Sequence, residues 1–368
     1  MKVALVCDWL TNVGGAEKVL LEMHKIFPKA PIYTSKYDER GIDWFKDADV
    51  RTGWLQIFPS RLRRILGPLR QRWFEKLNLS EYDLVISVTG AEAKAVSAPN
   101  GVHISYCHVP TQYYWQMYDD YIKNPGFGVL NPLVRFCFKL MVKPLKKADY
   151  VAAQKVDHFV TISEYARELI KKYYKREAVV VHPPVEVEDF KYKNGPVENY
   201  YIVTSRQVNW KRLDLAVKAC LKLKRPLVVI GEGPEHNYLM KLTENSDLVK
   251  FYPLMQKKEL VRYLVSAKGY LFPSLEPFGI APVEALSTGC PVIAFGEGGA
   301  CDYVINGKNG VLFSKQTVGS LSDGILKFEK MKFTREKVAE SVGSFGAERF
   351  DREIKEFIKK HEKSCDEK

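Results

Sequence analysis

Several things are scarce or missing in this chain, and each absence removes a class of function. No apolar run approaches the roughly 18 residues that a membrane span requires. Seven cysteines (7, 107, 137, 220, 290, 301 and 365) form no CxxC pair and no Cys/His cluster. An odd, scattered set of this kind argues against a disulfide framework or a structural zinc and for a reducing compartment. HExxH, GxSxG, P-loop and DxD-type metal motifs are lacking, which weighs against hydrolases, P-loop enzymes and metal-dependent transferases. No metal or other cofactor is therefore expected. The opening Met1-Lys-Val-Ala-Leu-Val-Cys7 reaches Asp8 after too short an apolar run for a signal peptide. The expected location is cytoplasmic, with attachment to the cytoplasmic face of a membrane left open.

What is present is a chain of 368 residues, 46% hydrophobic and 27% charged, which suits a globular protein of two domains. Apolar runs that read as buried strands alternate with amphipathic helical patterns. Val3–Cys7, Ile32–Thr34, Asp83–Val88, His103–Cys107, Phe159–Ile162 and Val179–Val181 form the first set of strands. Tyr201–Thr204, Leu227–Ile230, Val249–Tyr252, Tyr270–Phe272 and Val292–Phe295 form the second, after a turn-rich stretch at 193–199. Two blocks of this kind predict an α/β protein with two Rossmann-like parallel-sheet domains, 1–190 and 196–345. A charged amphipathic helix, 348–368, closes the chain and is assigned to the first domain. Ligands of such sheets bind at the carboxyl ends of the strands.

The candidate chemistry lies at those ends. Glu276 and Glu284 stand eight positions apart around a turn containing Phe278, Gly279, Ile280 and Ala281, and a helical pattern follows. Pro282 suits the first turn of that helix, whose N–H groups have no intrahelical partner and can meet an anion. Carboxylates accept hydrogen bonds only, so they suit sugar hydroxyls. An anion site beside such acceptors fits a nucleotide sugar. Arg206 and Lys211 flank the loop after the first strand of the second block, where cations can stabilise a departing diphosphate; a solvated rim is the plainer alternative. Gly14-Gly15 follow the first strand and either let a phosphate approach or make an ordinary turn. His108 ends a strand and is either a hydrogen-bond partner for a substrate hydroxyl or a satisfied loop histidine. Tyr113, Tyr114 and Trp115 are either a sugar-stacking acceptor platform or core.

The formal charge is +12, and the segment 51–147 holds fourteen Lys and Arg against six acids. Within it Trp54-Leu-Gln-Ile-Phe58, Arg61-Leu-Arg-Arg-Ile-Leu66 and Arg72-Trp-Phe74 mix cations with large apolar side chains. That is a pattern for anionic lipid headgroups, or else a solvated helix with a core face. No RNP, helix-turn-helix or zinc signature supports a nucleic-acid partner.

Taken in order, Pro273-Ser-x-Glu276-Pro-Phe-Gly-x-x-x-x-Glu284-Ala, Gly289-Cys-Pro-Val292, Gly298-Gly299, Gly14-Gly15-Ala-Glu17 and Ser205-Arg206 with Lys211 resemble retaining glycosyltransferases of the GT-B fold, family 4. The resemblance runs essentially end to end. It implies two domains facing across a cleft and hexosyl transfer with retention, without a metal. By position, Glu276 would hold donor-sugar hydroxyls, Glu284 the ribose, and Arg206 and Lys211 the diphosphate with Gly15 and the amides around Gly279 to Ala281. His108 would meet the donor sugar's 6-hydroxyl. Cys107-His-Val-Pro-Thr-Gln-Tyr-Tyr-Trp115 resembles a subgroup of mannosyltransferases of O-antigen and exopolysaccharide synthesis. That implies GDP-mannose as donor and a lipid-linked or oligosaccharide acceptor. A nucleotide-sugar epimerase of the same fold, and a non-catalytic sugar-nucleotide or membrane-surface binding protein, are the competing functions.

Overall fold

The computed structural model describes residues 1–60, 66–123, 128, 131–243 and 246–361. Packing divides the chain into two units. One is Met1–Pro184 with the chain from Phe350 onward, and the other is Val185–Arg349. The division falls at Pro184 rather than 190. The next residues already pack on the second unit: the Val185 N–H donates to the Phe345 carbonyl at 2.9 Å, and Tyr192 lies against Gly289.

In the first unit seven strands form one parallel sheet: β1 (Val3–Cys7), β2 (Ile32–Thr34), β3 (Val50–Arg51), β4 (Leu84–Thr89), β5 (Val102–Cys107), β6 (His158–Thr161) and β7 (Ala178–Val180). Their order is β3-β2-β1-β4-β5-β6-β7, so the winding reverses between β1 and β4. Those two strands pair from Val3↔Leu84 to Cys7↔Val88. β4 and β5 are buried along their whole length, because helices cover both faces of a parallel sheet. The helix Ala347–His361 packs back here, with Phe350 fully buried against the Tyr106 ring on β5.

The second unit repeats the design with β8 (Tyr201–Thr204), β9 (Leu227–Ile230), β10 (Val249–Tyr252), β11 (Gly269–Phe272), β12 (Val292–Phe295) and β13 (Gly310–Phe313). All pairs are parallel, in the order β10-β9-β8-β11-β12-β13, with the reversal between β8 and β11. Its core joins Val203, Val229, Leu271, Ile293 and Val311 from the strands to Leu213, Val217 and Ile325 from the helices.

The basic, aromatic stretch expected to lie on lipid is partly core. Phe74 is fully buried, Trp73 packs against the same cluster, and Arg70 is sealed in an ion pair with Glu92 at 2.7 Å. The segment 61–65 lies outside the described residues, as does the end of the closing segment, 362–368. Among the described residues no helix is long and apolar enough to cross a membrane.

Candidate functional site

Where a parallel sheet reverses its winding, the loops leaving the two central strands diverge and open a crevice at their carboxyl ends. In the second unit those loops are Ser205–Lys211 after β8 and Pro273–Gly279 after β11. They bring Lys211 and Glu276 together: Lys211 Nζ lies 2.5 Å from Glu276 Oε1, and each side chain is 18% exposed. Ser274 Oγ donates to the same carboxylate oxygen at 2.8 Å. Lys211 closes a short 3-10 turn, Asn209–Lys211, and Arg212 then takes a left-handed conformation before the helix Leu213–Leu223. The tight turn is what lifts the ammonium toward the β11 loop. An ammonium has three donors, so one carboxylate leaves two for an incoming anion.

Three residues after Glu276 the chain turns at Gly279, whose φ of 90° disfavours any side chain. A Cβ there would also stand 2.6 Å from Phe272 Cζ and 2.9 Å from Tyr303 Oη. Tyr303 Oη lies 2.9 Å from the Phe278 carbonyl and 3.1 Å from that of Gly279, tying both back. The helix Ile280–Ser287 starts immediately, so the N–H groups of Ile280 and Ala281 are in the first turn, where none has an intrahelical acceptor. Phe278 is buried and contributes packing, with its ring on Tyr303 and Phe345. Glu284 sits half-buried one turn further along the helix. Arg206 is exposed on the β8 loop, and its side chain has no hydrogen bond or ion pair among the described residues.

Gln207, a support of this crevice, was not singled out from sequence. Gln207, fully buried, donates through Nε2 to the Gly231 carbonyl, and its Oε1 pairs with His236 Nδ1 at 2.8 Å. Gly231 and Gly233 approach the Ser205 and Gln207 carbonyls so closely that a Cβ would fall within 2.2 Å and 2.4 Å of them. Gly-x-Gly directly after a strand was the available signal. Likewise Gly299 donates its N–H to the Glu276 carbonyl at 2.8 Å, which explains the Gly298-Gly299 pair: it holds the Glu276 loop from behind.

In the first unit the equivalent reversal is filled from within. The Asp8 carboxylate, just past β1, accepts from Gly90 N (2.9 Å), Ala91 N (3.1 Å), Ala93 N (2.8 Å) and Thr89 Oγ1 (2.9 Å). Gly14 caps the helix Gly15–Ile26 in extended conformation, and a Cβ on it would meet Glu17 Oε2 at 2.7 Å. His108 follows β5 and anchors itself through its N–H to the Thr89 carbonyl at 2.8 Å. Its Nε2 is shielded from solvent and has no hydrogen-bond partner, and burial pulls its pKa down to about 4 against the partial opposition of Asp8. A neutral imidazole with an unsatisfied, protected nitrogen fits a hydrogen bond to a ligand hydroxyl.

The aromatic triplet is largely interior. Tyr114 is 1% exposed, so its ring offers no stacking face. Its hydroxyl and that of Tyr113 both go to Glu92, while Trp115 donates to Asp149 at 2.7 Å and stacks on Tyr173. The reason is electrostatic: the Arg70–Glu92 and Lys94–Asp149 pairs are buried and need these donors to satisfy the remaining carboxylate lone pairs.

Comparison with known proteins fits these two sheets. Residues 184–343 match the family described as glycosyl transferases group 1. The second unit therefore resembles a group 1 glycosyl transferase domain. An uncharacterized glycosyltransferase of Bacillus subtilis, YqgM, is 28% identical over 51% of this chain and 55% of its own length. The alpha-1,3/1,6-mannosyltransferase alg2 of Schizosaccharomyces pombe is 24% identical over 85% of this chain and 70% of its own. The chain thus spans about half the length of YqgM and of a second such relative from Methanocaldococcus jannaschii. Among solved structures, Anabaena HepE in complex with UDP superposes with a TM-score of 0.71 at 19% identity, covering 98% of this chain and 100% of HepE. Sucrose-phosphate synthase of Thermosynechococcus elongatus gives 0.72 at 15% identity, over 98% and 99%. Both share its GT-B fold of two Rossmann-like domains.

Proposed function

We propose that this chain is a retaining, metal-independent glycosyltransferase that moves a hexose, mannose from GDP-mannose, to a lipid-linked or oligosaccharide acceptor. The observation that carries the reading is the Lys211–Glu276 pair at the winding reversal of the second sheet, directly before the Gly279 turn. A half-buried pair of this kind is exchangeable. A donor diphosphate can take the ammonium, together with Arg206 and the first-turn amides of Ile280 and Ala281, while sugar hydroxyls take the carboxylate. Negative charge that grows on the leaving phosphate is then met by groups already in place. Glu276 acts as a hydroxyl acceptor that orients the donor; a retaining glycosidase would need a second carboxylate about 5 Å away in line with it. Glu284 serves the ribose and His108 a sugar hydroxyl. The Schizosaccharomyces relative, an alpha-1,3/1,6-mannosyltransferase, supports mannose, and the subgroup resemblance of Cys107–Trp115 supports GDP.

Thermal unfolding with GDP, UDP and ADP, followed by transfer assays with the matching sugar nucleotides, tests this. A ligand that binds only the native state raises the midpoint. The expected result is a shift with GDP alone, and transfer that Glu276→Ala lowers by on the order of a hundred-fold or more. A shift confined to UDP would overturn the donor. Epimerised nucleotide sugar formed without acceptor, or GDP binding with no turnover, would overturn the transferase.

A further inference from the structure

The helix Asn131–Gln154 has two apolar faces, and among the described residues only one is covered. Val142, Leu145, Ala152 and Ala153 are buried, with Asp149 locked to Lys94 beneath them. On the opposite side Leu133, Phe136 and Leu140 are 61%, 62% and 64% exposed, spaced i, i+3, i+7, so they form one stripe about 10 Å long. The same stripe continues through Lys143 and Lys147 to Val151, in steps of three, four and four, and Lys139 lies beside it; all three lysines are exposed. None of them has an ion-pair partner among the described residues. Asp149 is the one acid in the helix and it faces inward, so the outer face is cationic without exception.

We propose that this outer face is a docking surface for an anionic phospholipid bilayer, the helix lying in the plane of the headgroups. Leu133, Phe136 and Leu140 would enter the acyl boundary while Lys139, Lys143 and Lys147 meet lipid phosphates, a division of labour suited to an interfacial helix. A second copy of the chain is the poorer occupant, since a two-fold pairing of this stripe would bring unpaired lysines together. Within the region 51–147 expected from sequence, Phe74 lies in the core and Trp54 and Ile57 remain exposed, while this helix offers a continuous stripe of apolar and basic side chains. The proposal stands apart from the donor site and does not depend on the sugar transferred.

Co-sedimentation of the full chain with vesicles of phosphatidylcholine alone, and of phosphatidylcholine mixed equally with phosphatidylglycerol, tests it. Binding on the order of ten-fold stronger to the anionic vesicles is expected, weakened by salt. Phe136→Glu with Leu140→Glu should abolish it, and Lys143→Glu with Lys147→Glu should remove the preference for the anionic lipid. All four positions are exposed, so the thermal midpoint of both variants should match the parent. Equal binding to both vesicles, or unchanged binding by either variant, overturns the proposal. A concentration-dependent dimer that Phe136→Glu with Leu140→Glu dissolves would assign the face to a second copy instead.

Discussion

The two parallel sheets reverse their winding alike, between β1 and β4 in one unit and between β8 and β11 in the other. The loops at the two reversals hold opposite kinds of polar group. In the first, the Asp8 carboxylate is 8% exposed and saturated by three backbone N–H groups and a hydroxyl from the β4 loop. In the second, Glu276 is partly open and its partner Lys211 keeps two donors uncommitted. A buried carboxylate bonded to the backbone is a fixed strut, because removing it leaves N–H groups with nothing to bond. A side-chain pair that keeps partial solvent access can be parted at less cost, because neither member holds the backbone and water reaches both. The contrast separates scaffold from ligand site on the same architecture.

The largest expected effect follows at the strut. Asp8→Ala removes the acceptor of the Gly90 and Ala93 N–H groups; Ala91 N keeps the Thr89 hydroxyl at 3.0 Å. Two orphaned buried donors cost about 4 kcal/mol together. Urea unfolding should register that loss, with Asp8→Asn recovering part of it through its remaining oxygen. A loss under about 1 kcal/mol would mean that the first reversal is as exchangeable as the second, and the comparison would fail.

The next effect is in pH and separates the same two regions. His108, and His103 on β5, are both held by burial at a pKa of about 4, against 6.5 for the free side chain. Between pH 6.5 and 4 the unfolded chain therefore binds protons that the native state refuses. Stability from these groups is complete above pH 6.5 and falls as pH drops toward 4, by up to about 1.4 kcal/mol per pH unit for each histidine. His108→Gln should flatten that slope by one histidine's share. An unchanged slope would show that His108 is freely solvated and is not the sealed, neutral group described above.

The strands were mostly visible in sequence because a parallel sheet covered on both faces demands unbroken apolar runs. β1, β2, β8, β9, β10 and β12 fall where the runs place them. β3 escaped because two residues at a sheet edge, one of them the exposed Arg51, make no run. β13, four residues opening on a glycine, is absent from the runs read as strands. The helix Asn131–Gln154 was blurred by Pro144 and by being apolar on both sides, which flattens the helical period. Lys211, Glu276 and Gly279 could be picked out because strand ends and glycine turns announce themselves locally. Asp8, Gln207 and Tyr303 could not, since their partners lie 81, 24 and 25 positions away. The same distance explains Tyr114: only the fold shows that Glu92 lies beneath it.

The smallest effect on stability belongs to the exchangeable pair, and it is the sharpest test of what that pair does. Lys211→Met keeps the stem and removes the charge, leaving Glu276 with Ser274 Oγ and partial solvent access. The change in unfolding free energy should stay below the roughly 4 kcal/mol expected at Asp8, since the partly exposed carboxylate keeps Ser274 Oγ and some solvent. Nucleotide affinity should fall roughly ten-fold or more, because a hydrogen bond to a charged group carries about 1.5–3 kcal/mol when the ligand is bound. Glu276→Gln should be similarly mild in unfolding, yet its binding response should differ. It relieves Lys211 of its competing carboxylate, so free diphosphate binds as well or better, while the full sugar nucleotide loses the acceptor for its hydroxyls. Isothermal titration of both variants with nucleotide and with sugar nucleotide separates these outcomes. Equal losses for the two ligands in both variants would reduce Lys211–Glu276 to a structural tie, no different in kind from Asp8.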